Sequence, residues 1–110
     1  MYFGFDEIGE KIHLINITIK ADQVPADKAD ELLAAHRDWF GAQAQAGNFL
    51  LVGPYRDKGM AGLVIAQANS RADLDGLLVK DAYYPDMATY EVHEFQANII
   101  AENITDYRGK

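Results

Sequence analysis

Apolar positions change their spacing several times along the chain, and each change marks an element. Ile12-His13-Leu14-Ile15-Asn16-Ile17-Thr18-Ile19 is rich in β-branched residues and predicts a first strand. Asp22 to Pro25 breaks it, and proline near a helix start costs no intrahelical hydrogen bond. From there to Gly47 the apolar positions recur at helical spacing. Ala29, Leu32, Leu33, His36, Trp39, Phe40 and Gln43 share one broad face, and Gly47 is placed to close the helix in a left-handed cap. Phe49-Leu50-Leu51-Val52 predicts strand two, and the turn-rich stretch from Gly53 to Gly59 leads into strand three, Gly62-Leu63-Val64-Ile65-Ala66. Ser70 can cap a second helix at the backbone N–H of Asp73, with Leu74, Leu77 and Leu78 on its apolar side and its end near Lys80. Asp81 to Asp86 reads as a turn and Thr89 to Ala97 as strand four. The order βαββαβ predicts an α+β, ferredoxin-like domain with a four-stranded antiparallel sheet.

Strands two and three are apolar at consecutive positions, whereas a sheet with one wet face should alternate. Two helices cover only one face of four strands. The other face therefore calls for a cover, and the simplest is the same sheet of a second copy, giving a homodimer. Residues 98–110 can be read as a short helix or as an arm across that partner. The 110 residues fit one domain, with a core over about 12–97 and a C-terminal arm over 98–110.

Charge narrows the partners. Ten Lys and Arg against 17 Asp and Glu give a net −7, which disfavours nucleic acid and anionic membrane surfaces. No apolar run approaches the roughly 20 residues of a membrane span. The start has no basic n-region, and with no cysteine the expected location is the cytoplasm. The lack of cysteine also removes thiolate nucleophiles and thiolate metal sites.

The remaining inventory is short. Ser70, the one serine, reads as a helix cap, which leaves no serine nucleophile. Glu91 and His93 at i and i+2 could offer two metal ligands, with His13 as a third, but exposed strand residues explain the same spacing, so no metal is expected. No glycine-rich phosphate loop is present, and no cofactor is expected. His36 lies on the apolar face of the first helix, where packing does not require a polar ring. It reads either as a core-edge histidine satisfied by a neighbour or as a functional group. Asp81 has the plain reading of an aspartate steadying the turn after a helix.

The run His36-Arg37-Asp38-Trp39-Phe40, followed by Gly47-Asn48-Phe49-Leu50-Leu51-Val52-Gly53-Pro54, resembles the YciI (YCII-related) pattern of a helix histidine, a glycine and a Gly-Pro at fixed spacing. Gly62-Leu63-Val64-Ile65-Ala66, Ser70 and Asp81-Ala82-Tyr83 continue the resemblance over about residues 12–97. It implies a domain that dimerises sheet to sheet as a dimeric α/β barrel, and a cleft in which His36 and Asp81 form a catalytic pair. The chain departs from the family pattern at Ala82, where proline is usual, and at Leu33, where relatives often carry arginine; the latter weakens the case for a shared anionic ligand.

With no thiol, serine nucleophile or metal site expected, proton transfer is the chemistry that the residues best support. The expectation is a cofactor-free lyase or isomerase of the YciI type, acting by elimination or isomerisation on a small molecule. His36 and Asp81 would be catalytic, and Trp39, Gly53, Pro54, Tyr55, Arg56 and Tyr83 would line the substrate site. The alternative is a non-catalytic homodimeric module that binds a small molecule or a protein.

Overall fold

A computed structural model describes residues 11–110. The elements follow the predicted order: β1 (Lys11–Ile19), α1 (Ala29–Gln45), β2 (Phe49–Pro54), β3 (Ala61–Ala68), α2 (Arg71–Leu78) and β4 (Ala88–Phe95). Short 3-10 turns occupy Ala21–Gln23, Ala26–Lys28 and Ile104–Tyr107. α1 begins at Ala29 rather than directly after Pro25, because Lys28 N–H bonds Pro25 O at 3.0 Å and tightens the entry into a 3-10 turn. Asp30 and Glu31 in the first turn suit the positive end of the helix dipole. At the other end Gly47 takes φ +84°, and Asn48 N–H reaches back to Gln43 O at 2.9 Å, a closure that favours glycine. Ser70 Oγ accepts from Asp73 N–H at 3.1 Å and opens α2 as its sequence predicts.

The sheet is antiparallel throughout, in the order β2-β3-β1-β4, so β1 and β3 are central. One face carries the core. Ile15 and Ile17 of β1, Val64, Ala66 and Ala68 of β3, Phe49 of β2 and Ala88 of β4 are buried there. α1 packs on β2 and α2 on β3, contributing Trp39, Leu74 and Leu78 to the same core. All seven residues of the predicted α1 face are buried or half-buried, as the 3.6-residue spacing requires.

The other face carries Leu14, Asn16 and Thr18 of β1 and Leu63 and Ile65 of β3, all half-buried. The apolar run of β2 has a local cause. Phe49 pairs with Ala66 and Leu51 with Ile65, so Leu50 is an extra residue in a bulge. Leu50 and Leu51 are 55% and 42% exposed on this edge strand, whereas Phe49 and Val52 turn toward the core. At Gly62 the two hairpin strands approach closely, and a Cβ there would lie 2.8 Å from Gly53 O. Among the described residues no helix is long and apolar enough to cross a membrane.

Candidate functional site

Helical spacing puts His36 one turn before Trp39 and Phe40 on the inner side of α1, which aims its ring at the segment leaving α2. There Asp81 follows the last turn of α2, its N–H bonded to Leu78 O at 3.1 Å. His36 Nδ1 lies 2.6 Å from Asp81 Oδ1, and the residues are 6% and 3% exposed. The second carboxylate oxygen, Oδ2, accepts a hydrogen bond from the Tyr90 hydroxyl at 2.6 Å. A carboxylate at the C-terminal end of a helix faces unfavourable peptide dipoles, and burial adds to that cost. A donor on each oxygen offsets both.

Aromatic side chains enclose the imidazole. The rings of Phe40, Tyr83 and Trp39 lie 4.3, 4.8 and 5.9 Å from it, centroid to centroid. Trp39 Nε1–H donates to Leu77 O at 3.0 Å, joining α1 to the last turn of α2. That bond fixes how the two helices meet, and with it the reach from His36 to Asp81. Burial raises the pKa of Tyr83, the negative charge of Asp81 raises it further, and Arg37 opposes in part. Burial likewise raises that of Tyr90, followed by its bond to Asp81 and the charge of that carboxylate. Tyr90 therefore stays a neutral phenol and a donor across the physiological range. With Nδ1 engaged by a carboxylate, the neutral ring is held as the Nδ1–H tautomer and its lone pair falls on Nε2. Among the described residues Nε2 has no partner, and the buried atoms left unpaired are His13 Nδ1 and Gln67 Oε1.

The residues singled out in the sequence fall into two groups. Trp39 and Tyr83 lie beside His36 and Asp81. Gly53, Pro54 and Arg56 line a separate cavity of about 770 Å³ between β2 and the C-terminal segment. Tyr55 lines a polar cavity of about 590 Å³ with Asp57, Lys58 and Glu91, and its hydroxyl donates to Asn16 Oδ1. Neither cavity is lined by His36 or Asp81. Leu33 is half-buried on α1 and brings no charge to the site. Glu91 Oε2 and His93 Nε2 pair at 3.0 Å on the outer face, while His13 is buried on the inner one, so the three cannot share an ion. No group of metal-ligating side chains is present among the described residues.

Sequence reasoning missed Tyr90. The alternation Ala88, Tyr90, Val92 along β4 turns it inward and was the available signal. Residues 13–96 match the family model of the YCII-related domain, 84 of the 110 residues. No curated protein matches the chain.

Proposed function

Since this chain belongs to the YCII-related domain family, we propose that it is a cofactor-free enzyme that moves a proton on a small molecule by elimination or isomerisation, working as a homodimer through its outer sheet face. The observation that carries this reading is the buried His36–Asp81 contact of 2.6 Å with Tyr90 on the second oxygen. Asp81 holds the ring in one tautomer and stabilises the imidazolium that forms when Nε2 takes a proton. Tyr90 holds Asp81 in place through its hydrogen bond to the second oxygen. The aromatic rings around His36 lower the local dielectric, which strengthens the interaction between the carboxylate and the developing cation. His36 is thus the general base and then the general acid, and Asp81 its orienting partner.

Deuterium incorporation tests this reading without knowledge of the product. Enolisable 1,3-dicarbonyl compounds, acetylacetone first, are incubated with the protein in D2O and followed by proton NMR. Exchange should be faster with the wild type than without protein, and His36→Ala should lose about two orders of magnitude of that rate with the fold retained. A rate that His36→Ala leaves unchanged would remove His36 from the chemistry. A second reading, a binding module, draws on the near-complete burial of His36 and on cavities that form away from it. It predicts that His36→Ala alters stability and leaves ligand affinity intact.

A further inference from the structure

Beyond Phe95 the chain leaves the sheet, and its last residues come to lie opposite the edge strand β2. Between the two is a cavity of about 770 Å³, a size typical of small-molecule sites. Both walls are apolar: Leu50, Leu51 and Pro54 on the β2 side, Ile104 and Tyr107 on the other. The bulge at Leu50 is what leaves two successive leucines exposed on this edge. The second wall is shaped by local bonds. Ile104 N–H donates to Ala101 O at 3.2 Å, Arg108 N–H donates to Thr105 O at 3.3 Å, and Gly109 takes φ +79° as the backbone turns again.

Positive charge stands on both walls. Arg56 lines the cavity from the connection after β2, and Arg108 and Lys110 line it from the C-terminal segment. No Asp or Glu is among the described residues that line it, although the chain carries a net −7. Nor has either arginine an ion-pair partner among the described residues, whereas Arg71 is paired with Asp75 and Lys11 with Glu94. Two arginines without a carboxylate, on facing walls of one apolar cavity, are placed to take one from outside. A guanidinium grips a carboxylate through two parallel hydrogen bonds, and the apolar walls ask for a body attached to it. A neutral apolar molecule would leave the guanidiniums unanswered, and an anion with no body would leave the leucines, Ile104 and Tyr107 in water.

We propose that the cavity between β2 and the C-terminal segment binds an amphipathic carboxylate, a small molecule with one carboxylate on an apolar body. Arg56 and Arg108 hold its head, and Leu51, Ile104 and Tyr107 pack on its body. The site goes beyond the proton chemistry at His36 and does not depend on it. Neither His36 nor Asp81 lines this cavity, so the ligand here is bound and not turned over.

Titration of the nitrogen-15-labelled full chain with octanoate, followed through its amide shifts, tests the site. The shifts should saturate and concentrate at residues 50–56 and 104–110. Octan-1-ol has the same body without the charge, and acetate has the charge without the body. Each should bind at least about tenfold more weakly than octanoate. Arg56→Gln combined with Arg108→Gln should weaken octanoate at least about tenfold and leave octan-1-ol as it was. Far-ultraviolet circular dichroism checks that the double variant keeps its fold. His36→Ala should leave the octanoate affinity at the wild-type value, so failure here and failure of the exchange test at His36 are read separately. Shifts that do not saturate, or that centre elsewhere in the chain, overturn the proposal. So do equal affinities for octanoate and octan-1-ol, an octanoate affinity that the arginine variant leaves unchanged, or one that His36→Ala lowers.

Discussion

Removing the hydroxyl of Tyr90 probes the support of the His36–Asp81 pair without touching either member. In Tyr90→Phe the ring stays in place at the sheet, but Asp81 Oδ2 loses its donor at 2.6 Å. Asp81 is 3% exposed, so water does not freely replace that donor. A hydrogen bond to a charged group contributes about 1.5–3 kcal/mol, and an uncompensated buried acceptor puts this case in the middle of that range or above it. The expected loss is about 2 kcal/mol, or a fall in Tm of roughly 10 °C for a domain of this size. Urea unfolding followed by circular dichroism, at one fixed protomer concentration because dimerisation shifts stability, reads the change. The double-mutant cycle with Asp81→Asn isolates the part that depends on the carboxylate, and its coupling should be about 1 kcal/mol. Additivity to within about 0.3 kcal/mol would refute the reasoning, since the phenol would then contribute by packing alone.

Gly62→Ala should destabilise by about 1–3 kcal/mol in the same urea assay, because its Cβ would meet the Gly53 carbonyl, a backbone atom that has no rotamer to yield. Trp39→Phe removes the bond to Leu77 O and part of a buried ring, costing about 2 kcal/mol, and it should also slow deuterium exchange because the two helices lose their fixed approach. Alkaline pH should unfold the protein early. Tyr83 and Tyr90 have folded pKa values raised above the ordinary value of 10.0, so their contribution is complete below pH 10 and declines above it, as the unfolded tyrosines ionise first. Each contributes a slope of at most about 1.4 kcal/mol per pH unit. Thermal melts between pH 9 and 11 should show a shallower decline for Tyr90→Phe than for the wild type.

The fold was legible because its signals are local. The 3.6-residue spacing from Ala29 to Gln43, the glycine that closes α1 and the serine that caps α2 act within a few residues, and each appears where the spacing puts it. The bulge at Leu50 was not legible. It breaks the alternation of β2 in a way that, in the sequence alone, looks like a strand covered on both faces. The approach of His36 to Asp81 spans 45 positions and was expected only from a family resemblance. Periodicity assigns a face but not the partner that a face meets. Tyr90 shows the same limit, since β4 alternation turns it inward while only the sheet order brings it under Asp81. The Gly53 to Arg56 stretch was expected to line the substrate site beside the pair, whereas these residues line two cavities that neither His36 nor Asp81 lines.

The most direct test of the account is the state of the His36 ring, read from its nitrogen-15 shifts in the wild type and in Asp81→Asn. At a pH where the ring is neutral, the account predicts its proton on Nδ1 and a bare Nε2 in the wild type, and a loss of that preference in the variant. The same tautomer mixture in both proteins would contradict it, because Asp81 would then not set the nitrogen that moves the proton.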